Sequence, residues 1–385
     1  MDPRKILFLT GTRADFGKLK PLMQRVEAAP DFDCEIFATG MHTLRRYGST
    51  IVEIEKSGFT RIFPHMNQMA HLSADMDLVL AETIRGLGHY IRENPPDLIV
   101  VHGDRVEALS AAIVGAMNNI LVAHIEGGEI SGTVDELIRH AVSKLAHLHF
   151  VAHDEARKRL LQMGERDESV FIIGSPDLDV MFSDSLPSLD DVKARYEIGF
   201  EDYGVFIYHP VTTEQASLGA NIRAVTKALV ASRWNFVVVY PNNDPGAEVI
   251  LDAIVPLGEH PNFRVFPSLR FEHFLTLLKN ARALVGNSSS GIREAPAYCV
   301  PSVNIGTRQM NRFVYPSIVD IEEDENQVLE ALTHLPRSET PSRHFGTGGS
   351  ADLFLGCLRD ERLWERSCQK QFQDLSAIGA LGSLA

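Results

Sequence analysis

Short apolar runs alternate with longer segments of helical period along nearly the whole chain, and no other feature restricts the fold as much. In the first half the runs fall at residues 5–10, 34–39, 60–63, 98–102, 121–125, 149–152 and 170–173. Between them, apolar residues recur with helical period over 14–27, 72–92, 105–117 and 134–145. Strands that are apolar on both faces need helices covering both faces, so this alternation predicts an α/β fold built on a parallel, doubly wound sheet. The pattern breaks over the polar stretch 183–202, with a linker expected at 174–187 and a helix after it. A second series then follows, with strands at 205–208, 236–240, 263–266, 283–285 and 302–305 and helices at 219–232, 247–255, 271–280 and 291–298.

This division predicts two Rossmann-like domains, residues 1–180 and 181–360. The helical, charged stretch 351–375 suggests a C-terminal helix in 361–385 that packs back on the first domain. A chain of 385 residues is long enough for two such cores. Open α/β sheets bind ligands beyond the C-terminal ends of their strands, so the ligand is expected in the cleft between the domains. No short-period repeat or low-complexity tract interrupts the pattern.

Charge and cysteine usage narrow the function. The formal net charge of −14 argues against nucleic acid and against anionic membrane surfaces as partners. A small anion remains compatible, because helix N-termini and arginines can override the global sign locally. Cys34, Cys299, Cys357 and Cys368 are scattered, with no C-x-x-C pair, and read as reduced thiols. The opening MDPRKILFLTG reads as a buried strand rather than a signal peptide, and no apolar run approaches the ~18 residues of a membrane span, so a cytoplasmic location is expected. No H-E-x-x-H, clustered metal-ligand spacing, G-x-S-x-G or G-x-G-x-x-G occurs, so neither a metal nor another cofactor is expected.

Six segments at strand ends carry candidate chemistry. Thr10–Lys18 (TGTRADFGK) opens a helix after the first strand, where glycine lets amides approach an anion and Arg13 can grip a diphosphate. The plain alternative is a tight turn with a surface arginine. His102-Gly103-Asp104-Arg105 ends another strand, and Asp104 also suits an N-cap. His124-Ile125-Glu126-Gly127-Gly128-Glu129, followed by Asp135, Glu136, Arg139 and His140, is the densest group. Its carboxylates suit acid–base work at a sugar ring, the alternative being a solvated loop. His209, in YHPVTTE, faces the cleft if the second sheet is oriented like the first, although a lone histidine is more often satisfied by local backbone. In Pro241-Asn242-Asn243-Asp244, polar side chains can read a base or sugar hydroxyl, or simply form a turn. Finally, Gly286–Glu294 (GNSSSGIRE) joins hydroxyls to a helix start that can cradle phosphate, with Glu294 suited to ribose hydroxyls and Arg308 nearby on the next strand end. His71, His89 and His147 read as surface or helix residues.

Together, GTRADFGKLKPL, VHGDRVEAL, HIEGGEISGTVDELIRHAVSKLAHLHFVA, IIGSPDLDVM, YHPVTTE, PNND, GNSSSGIREAP and GTRQMNR resemble, in order and over about residues 5–312, the hydrolysing UDP-N-acetylglucosamine 2-epimerases of bacterial sialic acid synthesis. They are also similar to the epimerase half of the animal bifunctional enzyme. The resemblance implies a glycosyltransferase-B-like fold and conversion of UDP-N-acetylglucosamine and water to N-acetylmannosamine and UDP, without a cofactor. It implies that Asp104, Glu126 and Asp135 are the catalytic carboxylates; on mechanistic grounds Asp104 and Glu126 are expected near the proton transfers and Asp135 near the attacking water. It assigns Arg13, Arg105, His209, Asn242, Ser288, Ser289, Glu294 and Arg308 to the nucleotide, and His209 is expected to act in catalysis by stabilising, with Arg13 and the Ser288–Ser289 turn, the charge that develops on the diphosphate. At Gly17 the animal enzyme carries a serine that touches the nucleotide. A homodimer or homotetramer is expected by the same likeness. Alternatives are a hydrolysing epimerase for UDP-N,N'-diacetylbacillosamine, a non-hydrolysing epimerase, a retaining glycosyltransferase, and a catalytically silent nucleotide-sugar sensor.

Overall fold

The computed structural model describes residues 2–48, 50–68 and 75–374, without the side chain of Arg46. His71 and Leu72, the latter the expected start of the second helix, lie outside the described residues, as does everything from residue 375 onward.

The first domain is a seven-stranded sheet made of β1 (Arg4–Thr10), β2 (Phe32–Ala38), β3 (Ile62–Pro64), β4 (Leu98–His102), β5 (Leu121–Ile125), β6 (Leu148–Val151) and β7 (Val170–Ile172). Its spatial order is β3-β2-β1-β4-β5-β6-β7, and each pairing is parallel. The second domain holds six strands: β8 (Gly204–Ile207), β9 (Phe236–Val239), β10 (Phe263–Phe266), β11 (Leu284–Gly286), β12 (Ser302–Ile305) and β13 (Ile318–Ile321). Their order is β10-β9-β8-β11-β12-β13, again parallel throughout. Both are doubly wound sheets, as the alternation of strands and helices predicts.

Each sheet reverses its strand order once, between β1 and β4 and between β8 and β11. At such a switch point the connections leave in opposite directions and open a crevice beyond the strand ends. The segments after β1, β4, β8 and β11 are four of the six singled out by sequence. The fold therefore brings Thr12, His102, His209 and Ser288 to crevice mouths without further assumption.

The strands form because their residues are apolar on both faces. Ile6, Leu7, Phe8, Val100, Val122, Phe150, Phe206 and Val238 are fully buried. Helices cover them, for example Arg13–Glu27, Met76–Glu93, Val106–Met117 and Val134–Leu145 in the first domain. Thr12 starts the first of these and Thr133 the last, each accepting a backbone N–H two or three residues on.

Several local expectations change. Asp104 caps no helix; Arg105 holds the N-cap position before Val106–Met117 and makes no side-chain capping bond. The serine-rich turn after β11 is a short 3-10 turn, Ser289–Gly291, with only Glu294–Ala297 helical beyond it, because Ser288 accepts the Ser290 N–H and turns the chain at once. β13, Ile318–Ile321, is an additional edge strand with no residue buried, and the exposed Asp320 interrupts its short apolar run. The C-terminal stretch is not one helix. It forms Ser350–Leu358 and Glu361–Trp364, broken where Asp360 accepts the Arg362 N–H as a new cap, and it is irregular from there to residue 374. Helix Ser350–Leu358 lies on the first domain, where the Phe354 ring sits 6.3 Å from Phe8 and 4.8 Å from Phe150. His147 is buried rather than superficial: its ring accepts the Val122 N–H at 3.0 Å and donates to the Cys368 carbonyl at 2.9 Å. His89 is exposed, as expected. Among the described residues no helix is long and apolar enough to cross a membrane.

Candidate active site in the interdomain cleft

The facing strand ends of the two sheets enclose a cavity of about 270 Å³. Asp104, Glu126, Asp135, His209, Arg13, Arg105, Asn242, Ser288, Ser289, Glu294 and Arg308 all line it. The sequence-derived candidates therefore converge, although they come from many loops.

On the first-domain wall the centre is Glu126, the residue after β5. Its φ is +63°, a left-handed conformation that a side chain with a Cβ adopts at a cost. The loop keeps it there because the Glu126 N–H bonds the Phe150 carbonyl at 2.8 Å, which continues the ladder to β6. The strained turn aims the carboxylate inward. It accepts from Arg293 at 2.5 Å, from His102 Nε2 at 3.0 Å and from the Ser175 hydroxyl. Burial pushes this carboxyl up, but Arg293, Lys18 and His102 outweigh burial and hold it well below the usual carboxylate range.

His102, at the end of β4, bridges two acids, with Nδ1 2.9 Å from Asp15 and Nε2 3.0 Å from Glu126. Burial opposes its charge, yet the two carboxylates prevail and lift its pKa to about 9. It is an imidazolium at neutral pH. His102 lay inside a motif singled out by sequence but was not itself chosen there, because its two partners are far away along the chain.

Asp104 and Asp135 stand nearer the open cavity, with side chains 28% and 26% exposed against 7% for Glu126. Asp104 is hydrogen-bonded to Arg139, and Asp135 to Arg308 at 3.0 Å. Arg139 is 2% exposed and also donates to the Glu129 carbonyl at 3.2 Å. Burial and the neighbouring Arg312, Arg293 and Arg308 depress its pKa. Glu129 forms a further acid on this wall. It lies 3.1 Å from His153 Nε2 and 3.6 Å from Arg293. Burial raises its carboxyl, and the contact from His153 together with Arg293 overcomes burial, leaving it at about 2. Arg139 and Glu129, like His102, stand in the sequence motifs but enter the site only through contacts the fold creates.

The second-domain wall is mainly cationic and hydroxylic. His209 follows β8; its N–H donates to Asn287 Oδ1 at 2.6 Å and its carbonyl accepts from Asn287 Nδ2 at 2.9 Å. Its Nδ1 accepts the Asn242 N–H at 3.1 Å, which assigns the remaining proton to Nε2. Burial, then Arg308 and Arg105, hold His209 neutral, so it offers the cavity a neutral N–H donor. Asn242 contributes its backbone here, and its neighbour Asn243 bonds Arg105 at 3.1 Å. Arg13 reaches across the cleft to Ser268 at 2.7 Å. Glu294 is almost wholly buried and paired with Lys18 at 3.3 Å; burial raises its carboxyl more than Lys18 lowers it. Lys18 also holds Asp177 at 3.1 Å, a pairing that sequence spacing does not reveal.

The domains approach closely around the cavity. Gly132 N–H donates to the Arg308 carbonyl at 3.2 Å. A Cβ on Gly17 would fall 2.4 Å from the Phe271 ring, so a side chain at this position meets the second domain directly.

The chain matches the family model described as UDP-N-acetylglucosamine 2-epimerase over residues 24–359. It is 44% identical to a UDP-N-acetylglucosamine 2-epimerase of Neisseria meningitidis serogroup B, across 97% of this chain and 100% of that one. It is 36% identical to a hydrolysing UDP-N,N'-diacetylbacillosamine 2-epimerase of Legionella pneumophila, across 86% and 88% of the two chains. Its fold matches the crystal structure of a Neisseria meningitidis UDP-GlcNAc 2-epimerase bound to UDP-GlcNAc, with a TM-score of 0.74, 16% identity, and coverage of 92% of this chain and 99% of that one. These matches run along most of the chain, and they show that it belongs to the UDP-N-acetylglucosamine 2-epimerase family.

Proposed function

We propose that this protein converts UDP-N-acetylglucosamine and water to N-acetylmannosamine and UDP, with release of the nucleotide, as a step toward sialic acid. The observation that carries the reading is one cavity that Asp104, Glu126, Asp135 and Arg13 of the first domain share with His209, the Ser288–Ser289 turn and Arg308 of the second. Acids alone would suit a cation, and cations alone a simple diphosphate binder. Both together suit a reaction that moves a proton while a diphosphate departs. The hydrolysing mode draws support from the Legionella relative, whose name carries it.

The C2 proton of the sugar is barely acidic, so a base by itself cannot remove it. Removal becomes feasible when the C1–O bond to UDP breaks at the same time. The electron pair of the C2–H bond then forms the C1–C2 double bond of 2-acetamidoglucal, and the C1–O pair leaves on the diphosphate. Arg13, Arg308, the neutral Nε2–H of His209 and the serine hydroxyls stabilise that charge in a site already ordered to receive it. Water then adds across the double bond, its oxygen to C1 and a proton to C2 from the opposite face, and the manno configuration results.

The sequence reading favours Asp104 and Glu126 for the proton transfers. The hydrogen bonds favour a different division. Glu126 accepts three donors and is a weak base, so its task is to keep His102 protonated and in place. Asp104 and Asp135, a quarter exposed toward the cavity, are the groups free to exchange protons with a bound sugar and its water. Arg139 and Arg308 fix their orientation.

The test is an incubation with UDP-N-acetylglucosamine and no acceptor, with UDP and free sugar measured together. Equimolar UDP and N-acetylmannosamine support the reading. UDP-N-acetylmannosamine in their place identifies a non-hydrolysing epimerase, and free N-acetylglucosamine a transferase. The identity to the Legionella enzyme supports UDP-N,N'-diacetylbacillosamine as a second substrate, and a parallel incubation compares the two.

A further inference from the structure

Behind the first-domain wall, where the chain returns from the second domain, two histidines and a glutamate converge outside the cavity. His153 ends the loop after β6 and is the N-cap of helix Asp154–Gln162, Glu155 stands in the first turn of that helix, and His344 comes from the returning segment. His153 Nδ1 is 3.0 Å from Glu155 Oε2, and His344 Nε2 is 3.6 Å from the same oxygen. One ligand atom from each lies within 4.8 Å of the others, the one such group of three among the described residues. Bonds of about 2.0–2.1 Å from zinc to nitrogen and oxygen, at tetrahedral angles, separate the ligand atoms by roughly 3.4 Å. The two spacings to Glu155 bracket that value.

The surroundings of each ligand fit the same chemistry. The other ring nitrogen of His153, Nε2, faces the Glu129 carboxylate at 3.1 Å. A carboxylate on the far nitrogen fixes tautomer and ring orientation and raises the basicity of the ligating one, as is general for metal-bound histidines. His344 is held by rings on three sides. Its centroid is 4.4 Å from Phe313, 4.8 Å from Phe345 and 4.1 Å from His153. Glu155 is 56% exposed, which leaves a fourth position open to water. The one competing bond is the Ala156 N–H, which His153 Nδ1 accepts at 3.2 Å and which a metal would displace.

We propose that His153, Glu155 and His344 form a binding site for a divalent transition metal of the zinc type. Two imidazoles and one carboxylate select zinc or its neighbours over magnesium and calcium, which prefer oxygen. A metal here ties the returning segment to the first domain directly behind Glu129, one residue removed from the cavity. The site does not depend on the proposed reaction, so its failure would leave that reading untouched.

The test uses the full chain, stripped with chelator and titrated with zinc chloride by calorimetry. One equivalent of zinc is expected to bind, with no heat from magnesium chloride. Glu155→Ala and His344→Ala are each expected to bind zinc at least about tenfold more weakly, the scale on which zinc sites respond to altered ligand support, and Glu155→Ala, at the more exposed position, is expected to melt like the wild type without zinc. A stripped wild-type chain that takes up no stoichiometric zinc, or variants that bind it as tightly as wild type, would overturn the proposal.

Discussion

Among single residues, His102 carries the sharpest prediction. Its folded pKa of about 9 stands above the unfolded value near 6.5. The stabilisation it supplies is therefore full below about pH 6.5 and is lost as pH rises through 9, an effect of about 3 kcal/mol at most. Urea midpoints measured from pH 6.5 to 10 are expected to fall more steeply for the wild type than for His102→Gln. Parallel slopes would mean that the imidazolium between Asp15 and Glu126 is not formed. The acids facing the cavity are tested by turnover. Asp104→Asn and Asp135→Asn are each expected to cut kcat by about 10²-fold or more, the usual worth of a positioned acid or base, with UDP affinity little changed. Near-normal turnover in either variant removes that residue from the chemistry. Sequence spacing exposed these carboxylates because each follows a buried strand. It did not expose His102 as a bridge, nor Lys18 between Asp177 and Glu294, because those partners meet only after the sheet has formed.

Secondary-structure elements decide how rigidly the walls are held. Gly286 ends β11 with φ +126°, and a Cβ there would come within 1.9 Å of the Ile207 carbonyl on β8. Gly286→Ala strains the backbone at the second switch point and is expected to cost about 3 kcal/mol or more, read as a lowered denaturation midpoint. A midpoint equal to that of wild type would show that the strands part freely. On the first domain, Phe354 of helix Ser350–Leu358 is fully buried against Phe8 and Phe150. Phe354→Ala is expected to cost about 3–5 kcal/mol, the range for deleting a buried aromatic ring; a loss well under 1 kcal/mol would mean the helix is not part of that core. Strand positions were legible because buried parallel strands are continuously apolar, and β4, β5, β10 and β12 fall where the apolar runs are. The ends of the chain's elements were less so. Asp104 satisfies every rule for an N-cap, yet a buried arginine competes for its carboxylate and wins. β13 is a half-covered edge whose short apolar run is interrupted by the exposed Asp320.

At the scale of the whole molecule, the question is how two sheets come to share one reaction. The walls are joined by Arg308 to Asp135, Arg13 to Ser268, Arg105 to Asn243 and Arg293 to Glu126, all pairs across the domain boundary. Arg308 and Arg293 bond acids of the first domain, Arg13 and Arg105 bond side chains of the second, and all four line the cavity in which a diphosphate would lie, so a bound nucleotide is expected to act on the contacts that join the domains. The two-domain plan and the cleft were readable from the sequence. The cross-boundary pairing was not, since no pattern within one domain encodes a partner in the other. The proposed reaction requires that the C2 proton be removed while the nucleotide leaves. Proton NMR of the wild-type protein with UDP-N-acetylglucosamine in heavy water measures this directly. The prediction is free UDP together with N-acetylmannosamine carrying deuterium at C2. Release of UDP with a sugar that keeps its original hydrogen at C2 would contradict it.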